Sequence, residues 1–531
     1  MSLYLGLDSS TQGLTATLIE VDGPHRRIVL TRALRYDEDL PAYGTRHGVL
    51  PSADPAVVHA PPLMWAEALE RIMASLAREP GIDWRQLRAV SGSGQQHGSV
   101  YLNARARARL EALSPDRPLT AQLEDVLSRK TAPIWMDSST TPQCAAIEQA
   151  LGGPAGVARL TGSRAYERFT GPQIRKFAEE DPGGYSATER IHLVSSWMAS
   201  LLAGRHAAID HGDGSGMNLM DLARKEWAQT ALEATAPALA SRLPALAPSW
   251  TIVGPLAPFW CRRFGLPPAR VVAWSGDNPC SMVGTGLIRE GLVAISLGTS
   301  DTIFGPMRSA RPSDDGTGHV FASPTGTYMG MTVFKNGSLA RERVRDEHGL
   351  DWSGFGDALR RTPAGNGGAM MLPWFDPEIT PLVLAPGVRR FDLDPRDAPA
   401  NVRAVVEAQM LAMVRHSRWM NVGIQSIYAT GGAATNRDVL QVMADVFDAA
   451  VYQFAAANSA ALGAALRALH ADALASRTPM SWEEVVAGFA EPVADSRVSP
   501  IREHVERYRP LLELYAQRER QAVQSPTPAN P

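Results

Sequence analysis

Two segments of the chain share one alternating pattern of apolar and polar residues. The first alternates on both sides of a polar turn, DSSTQG, and covers residues 3–20, LYLGLDSSTQGLTATLIE. The second repeats the order of strand, polar turn and strand at residues 293–306, VAISLGTSDTIFGP. Each pattern predicts two strands joined by a tight hairpin. Because a solenoid would repeat at a far shorter period, the two distant copies indicate duplicated lobes.

Strands and helices alternate in the rest of the chain. Apolar residues at helical spacing predict a helix that ends at Gly204 in the stretch 192–204, HLVSSWMASLLAG. A strand, a glycine turn and a further helix are predicted for residues 426–447, with Thr435 or Asn436 as the N-cap. This alternation indicates an α/β fold.

Length and turn residues divide the chain into two lobes. A chain of 531 residues exceeds what one hydrophobic core usually supports. Gly and Pro interrupt the pattern at residues 252–258, IVGPLAP. We therefore predict an N-terminal lobe over residues 1–254 and a C-terminal lobe over 255–517. The tail 518–531 ends in QAVQSPTPANP, has no apolar pattern to bury and is predicted to be disordered.

Composition excludes several classes of function. The chain has 45% hydrophobic residues, 20% charged residues and a formal net charge of -3, so nothing favours a nucleic acid as partner. A basic and apolar leader and a membrane-length apolar stretch are both absent, which predicts a cytoplasmic protein without a membrane partner. Cys144, Cys261 and Cys280 are too widely spaced for a zinc motif and are expected to be reduced thiols.

The two polar turns contain residue types that bind phosphate groups. Small hydroxyls and backbone N–H groups are available from Ser10, Thr11 and Gln12 in the first turn and from Gly298, Thr299 and Ser300 in the second. A GxxxxGK[ST] loop is absent. Asp8, next to the first turn, is the candidate ligand for Mg²⁺. Any turn favours Asp, Ser, Thr and Gly, but the duplication favours a pair of phosphate-binding hairpins.

A carboxylate follows the predicted strand RVVAWSG. Asp277 stands between this strand and the start of a helix. At the C-terminal end of a strand in an α/β lobe, a side chain faces the ligand crevice, so Asp277 is the candidate base that accepts a proton from a hydroxyl. Alternatively, Asp277 or Asn278 caps the helix that follows. The sequence leaves both interpretations open.

Further candidate contacts lie at a glycine pair and at isolated polar residues. Gly431 and Gly432 would let adenine and ribose lie against the backbone, although an ordinary turn could have the same residues. The polar run 95–97, which ends with His97, lies in apolar surroundings and could bind sugar hydroxyls, as could Arg168. A structural histidine and a surface arginine are the alternatives. The residue patterns alone therefore indicate a duplicated α/β protein that binds a nucleotide.

Eight motifs in order resemble those of the FGGY carbohydrate kinases, a branch of the actin-like ATPase superfamily, and among them the animal-type xylulokinases. The resemblance covers about residues 3 to 515. The motifs are LGLDSSTQG, SGSGQQHG, SRAYERFTGPQI, DHGDGSGMNL, WSGDNPCSMVGTG, SLGTSDT, FKNGSL and ATGGAATNRDVLQVMADVF.

The resemblance implies two ribonuclease-H-like lobes around a deep cleft, with sugar bound mainly by the first lobe and ATP mainly by the second. It implies Asp277 as catalytic base and Asp8 as the acidic residue near the metal. The implied ketose contacts are His97, Arg168, Asp277 and Asn278. The implied adenosine site consists of the loop Gly431, Gly432 and Asn436 and of Trp352, which packs on the adenine.

These implications predict an ATP- and Mg²⁺-dependent kinase of a ketose, with D-xylulose as the expected substrate and a monomer or homodimer as the active form. One alternative is a kinase of another ketose or polyol, such as ribulose, fructose or an alditol. A second alternative is an actin-like ATPase without sugar kinase activity. A sugar sensor without catalysis would be expected to have lost Asp8 or Asp277, and both are present.

Overall fold

The computed structural model describes residues 1–455 and 457–524, which form two compact units. We call them unit 1 and unit 2, and neither is continuous along the chain. Unit 1 consists of residues 1–288, 320–328 and 457–491. Unit 2 consists of residues 289–319 and of the described residues within 329–456 and 492–531.

Unit 1 is built on a seven-stranded sheet. Its strands are β1 (Ser2–Ser9), β2 (Gly13–Asp22), β3 (His25–Arg35), β4 (Leu87–Gly94), β5 (Ile252–Pro255), β6 (Arg270–Val272) and β7 (Ser275–Gly276). The order is β5-β6-β4-β1-β2-β3, and β7 also pairs with β4. The β1–β2 and β2–β3 pairs are antiparallel, whereas β1, β6 and β7 each run parallel to β4.

Unit 2 contains a sheet with the same arrangement. Five strands of this six-stranded sheet correspond to strands of unit 1, namely β8 (Leu292–Leu297), β9 (Asp301–Met307), β10 (Tyr328–Phe334), β11 (Ser426–Thr430) and β12 (Ala450–Gln453). Their order is β10-β9-β8-β11-β12, with β8 antiparallel to β9 and parallel to β11. In both units the first two strands form a hairpin. The third strand pairs with the second strand of the hairpin, and a parallel strand pairs with the first. The predicted α/β fold with two duplicated lobes is confirmed.

Helices cover the sheets and supply most of the remaining core. Those of at least eight residues in the described chain are α1 (Pro62–Ala77), α2 (Thr141–Ala150), α3 (Pro154–Thr161), α4 (Thr170–Glu180), α5 (Val194–Ala203), α6 (Asp277–Gly284), α7 (Ser338–Glu347), α8 (Trp352–Arg361), α9 (Ala398–Ser417), α10 (Arg437–Phe447), α11 (Ser459–Ala475) and α12 (Arg502–Gln524). No helix of the described residues combines the length and the apolar character that a membrane crossing needs.

Local sequence signals explain several of these helices. In α1, the buried residues Met64, Ala68 and Ile72 recur at helical spacing and face the core of unit 1. As predicted, α5 ends at Gly204, whose φ of 65° is left-handed and favours glycine. Asn436 is the N-cap of α10, because its side chain accepts hydrogen bonds from the backbone N–H groups of Asp438 and Val439.

Helix α11 belongs to unit 1 although it follows most of unit 2 in the chain. Its backbone packs so closely on β1 and α6 that glycines are required there. A β-carbon on Gly6 would lie 2.0 Å from the carbonyl oxygen of Ala461, and one on Gly284 would lie 1.9 Å from that of Ser459. Arg467, buried within this contact, donates hydrogen bonds to the carbonyl oxygens of Gly92 (3.0 Å) and Ala273 (2.6 Å).

The predicted boundary after residue 254 differs from the observed division. Residues 255–288 belong to unit 1 because β6 and β7 complete its sheet by pairing with β4. The chain then returns to unit 1 over residues 457–491, which the sequence pattern did not predict.

The prediction of a disordered tail from residue 518 is wrong for its first residues. Helix α12 continues to Gln524, and Glu519 within it is buried. Arg415 of α9 donates a hydrogen bond of 2.5 Å to the carboxylate of Glu519, which fixes this end of the helix. Residues 525–531 lie outside the described residues.

Candidate active site

The predicted sugar and metal residues of unit 1 gather at one edge of its sheet. Asp8 lies near the end of β1, residues 95–97 follow the end of β4, and Asp277 follows the end of β7. These strands are parallel, so their carboxyl ends meet at the same edge. Ligands of α/β proteins bind at such an edge.

The first hairpin is held by its own hydrogen bonds. Both the backbone N–H and the hydroxyl of Ser10 donate to the carbonyl oxygen of Gly13 at 3.0 Å. The hydroxyl of Thr11 accepts a hydrogen bond of 2.8 Å from the indole N–H of Trp135. Gln12 is exposed at the tip of the turn. The backbone of this turn is therefore well defined before any ligand binds.

Asp8 is a carboxyl group whose charge is disfavoured in the folded protein. The hydroxyl of Ser93 donates to its Oδ1 atom. Burial raises the pKa of Asp8 to about 7, the Ser93 hydrogen bond opposes this rise, and the negative charge of Asp277 adds to it. A cation at this position would relieve the repulsion between the two carboxylates.

Asp277 is the first residue of α6, and Gly276 is the N-cap residue. The Oδ1 atom of Asp277 accepts a hydrogen bond of 2.9 Å from the backbone N–H of Asn278. Burial raises the pKa of Asp277 to about 6, and backbone hydrogen bonds from Asn278 and Gln96 limit the rise. The group is thus mainly ionised at neutral pH, yet basic enough to accept a proton.

Gln96 contacts both Asp277 and Asn278. Its backbone N–H donates to Asp277, and its Oε1 atom accepts a hydrogen bond of 2.7 Å from the Asn278 amide. Within the described residues, the side-chain nitrogens of Gln95 and Gln96 are buried without a hydrogen-bond partner. Buried donors that lack a partner cost free energy, and a ligand with hydroxyl groups would satisfy them.

His97 is buried in a defined tautomer. Its Nδ1 atom lies 2.8 Å from the carbonyl oxygen of Gly216 and must donate to it, because a carbonyl only accepts. The ring stacks on Phe169 with centroids 4.3 Å apart. Burial and the nearby charge of Arg168 lower the pKa of His97 to about 3, so the ring is neutral and its Nε2 atom is an acceptor.

Arg168 lies beside His97 on an aromatic surface. Its guanidinium carbon lies 4.8 Å from the centre of the Tyr166 ring and 5.6 Å from that of Phe169. Burial lowers the pKa of Arg168, but an arginine stays charged at neutral pH. The aromatic surface holds the guanidinium in one orientation, where its N–H groups can donate to sugar oxygens.

Unit 2 has a cavity of about 500 Å³ next to its own hairpin. Five of the residues predicted to bind the nucleotide line it, namely Gly298, Thr299, Trp352, Gly432 and Asn436. Ser300 and Gly431 are not among its lining residues. Gly431 shapes the wall instead, since its φ is 88° and a β-carbon there would lie 2.4 Å from the carbonyl oxygen of Leu297.

One end of the cavity is fixed by the start of α7. The backbone N–H of Ser338 donates a hydrogen bond of 2.8 Å to the carbonyl oxygen of Gly298. One turn later, Arg341 binds both carboxylate oxygens of Asp301, at 2.7 and 3.0 Å. Both residues of this ion pair are buried. The pair and the helix start hold the Gly298–Asp301 hairpin against the cavity.

The other end of the cavity is aromatic. Trp352 is the first residue of α8, is 46% exposed and lies edge-on to Phe355, with ring centroids 5.4 Å apart. Arg345 lies over the Trp352 ring at 4.5 Å. An exposed indole in a cavity wall offers a flat surface on which a nucleotide base can stack.

Comparison with known proteins connects these sites to a family. Residues 3–284 match the N-terminal domain and residues 293–471 the C-terminal domain of the FGGY family of carbohydrate kinases. The chain belongs to this family. It is therefore a sugar kinase, an enzyme that transfers phosphate from ATP to an alcohol group.

Individual relatives match this FGGY kinase over nearly its whole length. Rat xylulose kinase is 42% identical over 98% of this chain and 97% of the rat protein. Xylulose kinase 2 of Arabidopsis thaliana is 43% identical over 88% of this chain and 87% of the plant protein. The crystal structure of xylulose kinase from Rhodospirillum rubrum has the same fold, with a TM-score of 0.80, 18% identity and 98% of both chains covered.

Several polar residues of the FGGY kinase were not singled out from the sequence. Arg341 and Glu342 both line the cavity of unit 2, and Ser338 shares the hairpin contact. Their motif FKNGSL contributed to the resemblance, but the charged run SLARERVRDE has the pattern of a solvated helix face. Only the packing of α7 against the hairpin separates the buried Arg341 from the exposed Arg343 of the same helix.

The donor set near Asp8 fits Mg²⁺. Mg²⁺ in kinases is held by one or two carboxylates together with substrate phosphates and water. Asp8 supplies a carboxylate whose ionised form lacks a cationic side chain as partner among the described residues, and Asp277 adds a second negative charge. Asp8 therefore supplies an oxygen ligand of the kind that Mg²⁺ prefers, in a place where a second negative charge favours a cation.

Proposed function

We propose that this FGGY kinase phosphorylates D-xylulose to D-xylulose 5-phosphate with ATP. The full-length identity to the rat and plant xylulose kinases supports this substrate. The observation that carries the proposal is the carboxylate of Asp277 hydrogen-bonded to Asn278, whose amide donates to Gln96, followed in the chain by His97, which stacks on Phe169. This set of a base and hydrogen-bonding groups suits a small polyhydroxylated acceptor.

Asp277 acts as the general base. A sugar hydroxyl is far too weak an acid to ionise at neutral pH, so its proton moves to the carboxylate as its oxygen attacks. The new bond joins this oxygen to the γ-phosphorus of ATP, and the bond from that phosphorus to the bridging oxygen of ADP breaks. The proton ends on Asp277, whose pKa of about 6 lets it return to water between turnovers.

The neighbours of Asp277 orient the sugar. Nε2 of His97 and the amide oxygen of Asn278 accept hydrogen bonds from sugar hydroxyls, whereas Arg168 donates to sugar oxygens. The amide nitrogen of Asn278 is already used, because it donates to Gln96 and Asp277. The buried amides of Gln95 and Gln96 find the partners that they lack. Because several buried groups would stay unpaired with a smaller acceptor, the site favours a sugar that satisfies all of them.

ATP occupies the cavity of unit 2. Gly298 and Thr299 contact the phosphate groups beside the N-terminus of α7, where the helix dipole favours negative charge. The adenine stacks on Trp352 near Asn436. Asp8 would hold Mg²⁺, which when bound neutralises the phosphate charge that develops during transfer. Ser10, Thr11, Gln12 and Ser300 remain predicted phosphate contacts.

An ADP-release assay across a panel of sugars tests the proposal. With ATP and Mg²⁺, we expect selective turnover of D-xylulose over D-ribulose, L-xylulose, D-fructose, glycerol and alditols. Replacing the base, Asp277→Ala, should lower kcat by at least ~10²-fold without loss of fold. Preferred turnover of another sugar would overturn the substrate, and near-normal kcat in the variant would overturn the base. ADP release at the same rate with and without every sugar would favour an actin-like ATPase instead.

The proposal includes the compartment and the oligomeric state of the enzyme. We propose a cytoplasmic enzyme, in keeping with three free cysteines, of which Cys144 and Cys280 are buried. A monomer or a homodimer is the expected active form. Light scattering coupled to gel filtration, performed on the active fraction, distinguishes these two states from larger assemblies.

A further inference from the structure

One acidic side chain in the cavity of unit 2 has no role in the proposed function. Glu342 lies in the middle of α7, lines the cavity and is half-buried. Among residues 1–455 and 457–524, it takes part in no hydrogen bond or ion pair of the protein. A carboxylate that lines a cavity without a protein partner is available to a ligand.

The arginines around Glu342 in the sequence do not neutralise it. Arg341 binds Asp301 with both of its terminal nitrogens. Arg343 pairs with Asp376 at 3.2 Å, and Arg345 donates to Asp346 at 2.7 Å. Each of these cations therefore has a different carboxylate, although all three lie within one helical turn of Glu342.

The position of Glu342 along α7 indicates which part of a nucleotide it meets. Ser338, Glu342 and Arg345 lie on one face, because residues three or four positions apart on a helix are neighbours. Ser338 contacts the hairpin at Gly298, and Arg345 lies over Trp352. Glu342 stands between them, about 6 Å along the helix from Ser338.

The same order is found within ATP, where the ribose joins the triphosphate to the adenine. If the phosphates lie at Gly298 and the adenine lies on Trp352, the ribose lies at Glu342. Ribose presents two hydroxyl donors, and an ionised carboxylate is an acceptor with two oxygens. We propose that Glu342 accepts hydrogen bonds from the ribose hydroxyls of ATP and so selects ribonucleotides over deoxyribonucleotides. This inference rests on the proposed binding of ATP in the cavity.

The experiment measures nucleotide binding by calorimetry without sugar, so that turnover does not enter the result. The ligands are ATP, 2′-deoxy-ATP and 3′-deoxy-ATP, each with Mg²⁺. In the wild type we expect the loss of the contacted hydroxyl to weaken binding by about tenfold, the low end for a hydrogen bond to a charged group. In Glu342→Ala, ATP should bind no better than the deoxy analogue that lacks the contacted hydroxyl. The affinity of this analogue should be the same for the variant and the wild type.

A matched control and a conservative variant sharpen the result. Glu347→Ala removes the same charge from the end of α7, where Glu347 pairs with Arg390 outside the cavity lining, and should keep the preference for ATP. Glu342→Gln retains one acceptor oxygen without charge and should show an intermediate preference. Unchanged binding of the deoxy analogue in Glu342→Ala shows that the variant is folded.

Two different failures are distinguishable. Equal binding of ATP and both deoxy analogues by the wild type would overturn the inference and leave the proposed function in place. A preference for ATP that persists in Glu342→Ala would do the same. No binding of ATP to the wild type would overturn the proposed nucleotide site and the inference together.

Discussion

The two hairpins share one fold position but use their aspartates differently. In unit 1, Asp8 precedes the turn, is partly exposed, and receives a side-chain hydrogen bond from Ser93. In unit 2, Asp301 follows the turn, is fully buried, and is bound by Arg341 through two hydrogen bonds. The carboxylate of Asp8 thus accepts a hydrogen bond from a hydroxyl, whereas that of Asp301 is neutralised by an arginine of the protein.

This difference shows how a duplicated fold can divide its tasks. A carboxylate with no cation partner costs stability but can take part in chemistry. A carboxylate in a buried ion pair contributes a fixed shape, and the pair tolerates little change to one member alone. Unit 1 accordingly has the groups for proton transfer, and unit 2 has a rigid support for its cavity.

The largest expected effect comes from breaking the ion pair in unit 2. Asp301→Asn leaves the charge of Arg341 buried without a counter-ion, which should lower the free energy of unfolding by about 3–5 kcal/mol. Thermal unfolding followed by circular dichroism measures the loss. The double variant Asp301→Leu with Arg341→Met should recover most of it, because both charges are then removed. Equal stability of Asp301→Asn and the wild type would contradict the proposed support of the hairpin.

The matching change in unit 1 should affect activity and spare stability. Asp8→Asn removes a carboxylate that would hold Mg²⁺, so we expect kcat to fall by about 10- to 100-fold. The thermal midpoint should stay the same or rise, because the raised pKa of Asp8 means that its charge is disfavoured in the folded protein. A destabilised Asp8→Asn with normal kcat would reverse the contrast between the two aspartates.

Acid should act on activity and stability in opposite directions at Asp277. The base works only as a carboxylate, so kcat/KM at saturating MgATP should fall about tenfold per unit below a pH of about 6. The pKa of Asp277 in the folded protein, about 6, exceeds the ordinary value of 3.8, so protonation of Asp277 stabilises the fold. This stabilisation is fully present below pH 3.8 and is lost as the pH rises through about 6. Asp277→Asn should therefore be inactive and unfold at a higher temperature than the wild type. A kcat/KM that stays constant down to pH 5 would contradict the assignment of the base.

The smallest expected effect is at Ser10. Its hydroxyl and its backbone N–H both donate to Gly13, so Ser10→Ala leaves the backbone bond that closes the turn. We expect a loss of about 1 kcal/mol or less in stability. The KM for ATP, measured at saturating sugar, should rise by no more than about fivefold. A rise of this size fits the loss of one neutral hydrogen bond to phosphate. An unchanged KM would mean that the hydroxyl only closes the turn, and a much larger rise would contradict the small role expected for it.

Local patterns made much of the fold predictable. The hairpins at Asp8 and Thr299 were readable because alternation and turn residues act within a few positions. The caps at Gly204 and Asn436 were readable for the same reason. Asp277 could be singled out because it follows a strand, although the sequence could not separate a helix cap from a base. The structure shows Gly276 as the cap residue.

Features that depend on distant contacts were not predictable. Gly and Pro mark a local break and so predict a boundary at residue 254, whereas the pairing of β6 with β4 joins residues far apart in the chain. Arg341 and Glu342 are adjacent, charged and both in the cavity wall, and only the packing of α7 gives Arg341 a buried partner in Asp301. The end of α12 was missed because Glu519 is held by Arg415 of α9.

The return of the chain to unit 1 has a consequence for how the enzyme is made. A ribosome adds about 5 to 20 residues per second, so roughly 10 to 40 seconds separate the emergence of residue 288 from that of α11. Until then, a nascent unit 1 exposes the groove at Gly6 and Gly284 and the carbonyls that Arg467 later binds. Helix α6, with Asp277 at its start, gains its packing partner only when synthesis is almost complete. A chain terminated before α11 therefore lacks the packing that holds the start of α6, and with it the proposed base, against unit 1.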